Sequence, residues 1–199
     1  MSILLKVQEY TTEQLTNNIL PEYTYHDLAH TQRVVAACEE ICLETEISDD
    51  DKEVLLIAAW FHDLGYIESA KEHEKRSMQL AEESLLKNQY PQEKISKVKK
   101  CINATCLKTE PKDLIELIIK DADLVSLGKE SFFDRGLLLK KEWSVTEGIE
   151  YTDEEWIDIN IDFLSKHSYY TEYAKKKFGE QKKKNIETLI EKQGKLSLN

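Results

Sequence analysis

The sequence predicts an all-α fold, and two observations carry that prediction. Only 6 Gly and 3 Pro occur in 199 residues, too few for a turn-rich all-β protein. Apolar residues recur three or four positions apart along most of the chain, and no convincing alternation of period two is present. We therefore expect a single compact domain of about eight or nine helices, including a C-terminal helical extension.

Capping residues predict where several of these helices begin. A hydroxyl or carboxylate at a helix N-terminus accepts hydrogen bonds from backbone N–H groups, and proline is tolerated at the first helical position. Acidic residues there also interact favourably with the helix dipole. The predicted starts are the capping boxes Thr11-x-x-Gln14 and Thr152-x-x-Glu155, Ser48 before three acidic residues, and Pro111.

Apolar spacing predicts which helices are central. Residues 28–42, the stretch after His73 and the stretch after Thr152 each have one apolar face, as expected of helices at the edge of a core. Residues 54–64 and 114–125 are apolar nearly all round, which predicts central helices packed on several sides. Gly65 follows the first of these, where we expect a left-handed residue to end the helix.

Composition limits the compartment and the partners. The formal charge is −11, and no apolar run is long enough to span a membrane. The four cysteines lack the spacing of zinc or redox sites, so we expect reduced core thiols and a cytoplasmic protein. Residues 166–199 are locally basic, which we interpret as a solvated helix face rather than a nucleic-acid or membrane surface. Homo-oligomerisation is left open.

Four of the five histidines lie between positions 26 and 73. His26 and His30 are four apart, so we expect them on one face at the start of a helix, where two imidazoles can meet one site. Exposed or capping histidines at a helix N-terminus are the alternative.

His62 and Asp63 end the apolar stretch Val54–Phe61. Burying that carboxylate unpaired would be costly, and a metal ion is a natural compensation. A structural Asp–His hydrogen bond without metal is the alternative.

A second apolar stretch, residues 114–119, continues into Asp121 and Asp123. These two carboxylates are about 200° apart on a helix, so only one of them can face a buried ion. Two imidazoles and two carboxylates would neutralise a divalent cation, and mixed N/O donors suit Mn, Fe, Co, Ni or Zn.

The order His30, His62-Asp63, Asp123 resembles the HD superfamily of metal-dependent phosphohydrolases. The resemblance covers residues 23–128, preceded by an N-terminal helix in 1–22 and followed by a helical extension in 129–199. Its motifs are Tyr25-His26-x-x-x-His30, Phe61-His62-Asp63-Leu64-Gly65-Tyr66 and Asp121-Ala122-Asp123-Leu124.

The resemblance implies a role for each matching residue. His30, His62, Asp63 and Asp123 would hold a divalent ion, whose identity stays open among Mn, Fe, Co, Ni, Zn and Mg. His26 matches the proton donor of cyclic-nucleotide phosphodiesterases. Asp63 would also orient the attacking water.

The segment from His73 to Ser77 resembles the Glu-x-x-Ser stretch of predicted HD phosphohydrolases. The resemblance puts Glu74 near the attacking water, and a solvated helix start is the alternative. We expect His73, Arg33 and Arg76 to bind substrate. Residues 102–105, where two-metal HD proteins often carry histidines, contain none, so a histidine-rich second site is not expected.

The resemblance therefore implies a metal-dependent hydrolase of a phosphate ester, a phosphomonoesterase or phosphodiesterase acting on a nucleotide or cyclic nucleotide. The ion would activate the attacking water. Two alternatives stay open: a nucleotide-sensing or regulatory module without turnover, and a structural protein whose His and Asp residues satisfy one another.

Overall fold

Residues 1–196 are described by the computed structural model, and their regular secondary structure is entirely helical. Within them lie nine α-helices and two short 3₁₀ turns, with no strand. The all-α prediction is confirmed. The α-helices are α1 (Ile3–Asn18), α2 (Leu28–Leu43), α3 (Asp49–Phe61), α4 (His73–Lys87), α5 (Gln92–Thr105), α6 (Leu114–Asp123), α7 (Phe132–Thr146), α8 (Asp153–Lys166) and α9 (Glu172–Leu196).

The chain divides into two compact units, Met1–Asp123 and Leu124–Asn199. In the first, α3 is the central helix, and every residue from Val54 to Phe61 is buried. Helices α1, α2, α5 and α6 all pack against α3, so its apolar surface is covered on several sides, as the sequence predicted.

The second unit contains α7, α8 and α9 around a separate apolar core. α9 packs against α8 and against the 3₁₀ turn Val125–Gly128. A Cβ at Gly128 would overlap the backbone of Phe178, so glycine permits this close approach. The buried core residues are Leu127, Phe132, Ile157, Leu164 and Leu189.

Two of the predicted helix starts are confirmed. The Ser48 side chain accepts a hydrogen bond from Asp51 N–H at the start of α3. At the start of α8, Thr152 accepts from Glu155 N–H, and the Glu155 carboxylate accepts from Thr152 N–H, which completes the capping box.

The other two predicted starts are wrong. α1 begins at Ile3 with Ser2 as its cap, and Thr11 lies buried inside it, where its hydroxyl donates to the Val7 carbonyl over 2.9 Å. α6 begins at Leu114 rather than Pro111. There the Asp113 side chain accepts from Glu116 N–H over 3.1 Å, so a better capping group lies just after the proline.

In the described part of the chain, every helix is too short or too polar to cross a lipid bilayer.

Candidate metal centre

His30 lies in the first turn of α2 and is held there by the helix cap. Asp27 is the N-cap residue, and its Oδ1 accepts from His30 N–H over 2.7 Å. The His30 side chain is buried. The prediction that His26 shares a helix face with His30 is wrong, because capping by Asp27 leaves His26 before the helix.

His62 and Asp63 follow the last residue of α3. His62 is the C-cap of that helix, and Asp63 precedes the 3₁₀ turn Leu64–Ile67. Both side chains are buried. They therefore leave the apolar helix at its end, where neighbouring side chains can turn towards one point.

Gly65 does not end α3 in a left-handed conformation, so that prediction is wrong. Among the described glycines only Gly148 has positive φ. Glycine is needed at position 65 for a different reason: a Cβ there would overlap the backbone carbonyl of His73. The close approach brings the start of α4 against the turn that follows Asp63.

Asp123 is the last residue of α6. Its side chain is partly buried and faces the two histidines, whereas Asp121 is fully buried two residues earlier. The geometry thus brings Asp123, and not Asp121, to the imidazoles.

Four side chains converge on a small volume. Asp63 Oδ2 is 3.2 Å from His30 Nε2 and 3.1 Å from His62 Nε2. Asp123 Oδ1 is 3.1 Å and 3.6 Å from the same two nitrogens. The two Nε2 atoms are themselves 3.3 Å apart. His30, His62 and Asp123 each offer a ligand atom, all within 4.8 Å of one another.

The hydrogen bonds around this cluster leave lone pairs on several of its nitrogen and oxygen atoms. His62 Nδ1 lies 2.8 Å from the Ala59 carbonyl oxygen, which only accepts, so Nδ1 carries a proton. In the neutral ring, Nε2 then presents a lone pair to the cluster. Asp63 Oδ2 is buried and has no well-aligned hydrogen bond within residues 1–196. These donors fit a divalent cation, which would satisfy all of them at once.

The pKa shifts of these residues indicate that the two carboxylates dominate the electrostatics of the cluster. Burial lowers the pKa of His30, but hydrogen bonds with Asp123 and Asp63 outweigh it, and the pKa is raised. Burial also lowers the pKa of His62, but the negative charge of Asp63 outweighs burial, and this pKa lies well above its ordinary value. Burial raises the pKa of Asp63, yet the adjacent histidines hold that pKa well below the ordinary value. The carboxylates thus favour positive charge beside them, and a bound divalent cation would supply that charge.

A layer of aromatic rings lies beside the cluster. The His26 ring stacks on the Tyr66 ring, with centroids 4.2 Å apart and planes 9° apart. The His73 ring contacts the same tyrosine at 4.2 Å. The centroids of His26 and His30 are 5.6 Å apart. The His26 ring therefore lies near the cluster and packs face to face on Tyr66.

His73 reaches the cluster more directly than the other residues expected to bind substrate. Its Nδ1 donates to the Ala70 carbonyl over 3.0 Å, and its Nε2 is 3.5 Å from Asp63 Oδ1. The Glu74 carboxylate lies 3.6 Å from His73 Nδ1. Glu74 thus contacts the side of the His73 ring that faces away from Asp63.

The two arginines expected to bind substrate both contact carboxylates. Arg33 lies 3.8 Å from Asp27 Oδ1. Arg76 donates to Glu68 over 2.6 Å and to Gln79 over 3.3 Å.

Sequence reasoning missed two groups that hold the site in place. Ser77 is fully buried, and its hydroxyl accepts from Gly65 N–H over 2.8 Å, which ties the turn after Asp63 to α4. Lys120, three residues before Asp123, donates to the carbonyls of Ala104, Cys106 and Thr109. A lysine directly after the apolar run Leu117–Ile119 was the available signal for the second group.

Comparisons with known proteins agree with this geometry. The family model of the HD domain matches residues 27–128. No curated protein gives a significant match. A crystal structure of a structural-genomics target from Lactobacillus plantarum is similar, with a TM-score of 0.71 and 15% identity over 98% of this chain and 97% of that chain. At that identity the likeness shows the fold alone.

Proposed function

Since the chain belongs to the HD-domain family, whose members are generally metal-dependent phosphohydrolases, we propose that it hydrolyses a small phosphate ester in a metal-dependent reaction. The observation that carries the proposal is the convergence of two imidazole nitrogens and two carboxylate oxygens within 3.1–3.6 Å. A nucleotide or cyclic nucleotide is the proposed substrate, with phosphomonoester and phosphodiester cleavage both open.

His30, His62, Asp63 and Asp123 are the proposed metal ligands. Two carboxylates balance a divalent charge, and the mixed nitrogen and oxygen donors suit Mn, Fe, Co, Ni or Zn, with Mg as a further candidate. When bound, such an ion lowers the pKa of a water and offsets negative charge on the phosphoryl oxygens.

His26 is the proposed proton donor to the leaving oxygen. Support comes from its ring, stacked on Tyr66 and 5.6 Å from the His30 ring. A stacked ring keeps one orientation, so a ring N–H can be aimed at the leaving group without reorganisation.

Asp63 is the better supported of the two carboxylates proposed to orient the attacking water, because its Oδ2 lies within the cluster. Glu74, whose carboxylate lies 3.6 Å from His73 Nδ1, is the second candidate to orient that water. His73, Arg33 and Arg76 are proposed to bind the phosphate groups of the substrate, with His73 the nearest to the cluster.

The remaining predictions concern the setting of this reaction. A small phosphorylated substrate, a cytoplasmic location and the absence of membrane or nucleic-acid partners stay predictions. So does the division into residues 1–22, 23–128 and 129–199.

The test is a panel of phosphate substrates assayed with each candidate metal, measuring phosphate and nucleoside release. We expect turnover in the wild type and a loss of roughly a thousandfold in Asp63→Ala, because metal stabilisation of the transition state amounts to several kcal/mol. The control is Asp50→Asn in the first turn of α3, the helix that Asp63 follows. Asp50 pairs with Lys94 on the surface over 2.9 Å, so its loss leaves turnover unchanged.

Two outcomes would reject the proposal. Full turnover by metal-replete Asp63→Ala would rule out this mechanism. Saturable nucleotide binding with no product under any metal would favour a sensing module instead.

A further inference from the structure

The second compact unit contains an apolar cavity that the proposed hydrolysis does not use. Its volume is about 390 Å³. All of its walls come from α7, α8 and α9. Its lining includes several large apolar side chains and a lysine: Phe132, Phe133, Leu137, Trp156, Leu189 and Lys192.

The cavity has the size and lining of a small-molecule site. Ligand pockets typically span about 300–1,000 Å³ and are lined mainly by apolar and aromatic side chains with a few polar groups. An apolar void of about 150 Å³ already stays dry and takes up benzene. At about 390 Å³ this cavity can take a longer apolar chain.

The entrance is marked by exposed apolar side chains. Leu137 is 60% exposed and Leu196 is 40% exposed, whereas Phe132 and Leu189 deeper in the lining are buried. The walls thus run from the buried core of this unit to its surface, which gives a chain-shaped ligand a route of entry.

The charges around the cavity favour an anion. Lys192 belongs to the lining. Lys192 Nζ lies 4.3 Å from the centroid of the Phe133 ring, and Lys192 forms no ion pair among residues 1–196. The one acidic lining residue, Asp153, accepts from Lys140 over 2.7 Å and lies in the first turn of α8, where the helix dipole also offsets its charge.

We propose that this cavity binds a single-chain amphipathic anion, such as a medium-chain carboxylate. The hydrocarbon chain fills the apolar cavity, where its burial supplies most of the binding free energy. The carboxylate lies at Lys192, whose ammonium group already contacts the aromatic wall.

Gly136 offers a way to close the cavity without disturbing its walls. It lies on α7 in the lining, and a Cβ there would meet only Trp156 Nε1, at 3.8 Å, an ordinary contact. Because Gly136 belongs to the lining, we expect the rest of a leucine side chain at this position to occupy part of the cavity. Gly179 on α9, with nothing within 4 Å of a Cβ, is the matched control.

The experiment is a calorimetric titration of the full chain with decanoate, 1-decanol and decyltrimethylammonium. We expect decanoate to bind most tightly, 1-decanol less tightly and the cation least tightly, because all three bury the same chain and differ only in charge. Lys192→Gln weakens decanoate about tenfold, the loss of one charged hydrogen bond, and leaves decanol unchanged. Lys184→Gln, an exposed lysine on the same helix, leaves both unchanged.

A second readout locates the ligand and reports on folding. The chain has 3 Trp, and NMR of their indole N–H groups follows each separately. Decanoate shifts the Trp156 signal and leaves that of Trp60, buried in α3, in place. Gly136→Leu, with native signals outside Trp156, removes the decanoate-induced shift, and Gly179→Leu retains it.

Failure to bind decanoate would overturn the proposal. So would equal affinity for decanoate and the cation, or undiminished decanoate binding by a folded Gly136→Leu. None of these outcomes depends on hydrolytic activity.

Discussion

The two compact units contain opposite kinds of interior feature. In the first, two imidazoles and two carboxylates meet at distances of 3.1–3.6 Å. In the second, helices α7 to α9 line about 390 Å³ of mostly apolar space that opens to the surface. The first unit has more buried metal-ligating atoms than its own hydrogen bonds satisfy. The second unit has space that its side chains leave unfilled.

This difference determines what each feature requires. Buried carboxylates need opposite charge at a defined position, since an uncompensated buried charge costs several kcal/mol. An apolar cavity needs volume and contact area, because its cost grows with its size. The cluster should therefore be sensitive to single atoms, whereas the cavity should respond to bulk and to charge at its entrance.

The largest expected effect is a fall in kcat when His26, beside the cluster, is replaced. His26→Gln should lower kcat by about 10²–10⁴-fold on a natural phosphate ester, the usual loss on removing a general acid. Because a p-nitrophenyl ester has a leaving group that needs no proton, its turnover should fall much less. Kinetics on both substrates, with bound metal measured alongside, check this.

A fall of equal size on both substrates, or a loss of bound metal, would remove His26 from the role of proton donor.

The next prediction compares two glycines, one in each unit, at which an added side chain would overlap neighbouring backbone. A Cβ at Gly65 overlaps the backbone of His73, and a Cβ at Gly128 overlaps that of Phe178. Both alanine variants should lose about 1–3 kcal/mol of unfolding free energy by overpacking. Only Gly65→Ala should also weaken metal binding, because its turn follows Asp63. Denaturant unfolding and metal titration measure the two effects.

The matched controls are Gly179→Ala and Gly194→Ala in α9, where a Cβ meets nothing within 4 Å. Each should gain about 0.5–1 kcal/mol through helix propensity. Stability gains at Gly65 or Gly128 as well would show that neither contact constrains the backbone.

A loss of stability in the same range is expected at Ser77. Ser77→Ala leaves the Gly65 N–H buried without its acceptor, at a cost of about 1–3 kcal/mol, the lower part of that range if water enters. Ser84→Ala on the same helix should change stability by less than about 0.5 kcal/mol. Thermal unfolding of the two variants compares them directly. Equal stability would mean that Ser77 does not hold the turn.

The cluster was predictable from sequence because charge at the end of an apolar helix is conspicuous. His62 and Asp63 follow eight buried residues of α3, and the same argument applies to the end of α6. The residue pattern could not decide between Asp121 and Asp123. Helical spacing puts them on opposite faces of α6 but does not say which face meets the histidines. The position of His26 was misjudged because Asp27 competes as the cap.

The cavity left no comparable trace in the sequence. Phe132, Ile157 and Leu189 have the same helical spacing whether their surroundings are filled or empty, because periodicity reports only which face is apolar. The Ser77 hydrogen bond and the carbonyl contacts of Lys120 likewise depend on loops whose paths the residue pattern does not determine.

The most direct test of the central claim is the metal content of the purified chain after incubation with Mn, Fe, Co, Ni, Zn or Mg and removal of free ion. We predict about one equivalent of a divalent metal in the wild type and less than about one tenth of an equivalent in His62→Ala, because the cluster loses a buried nitrogen donor. Less than about one tenth of an equivalent in the wild type, with every metal, would contradict the account.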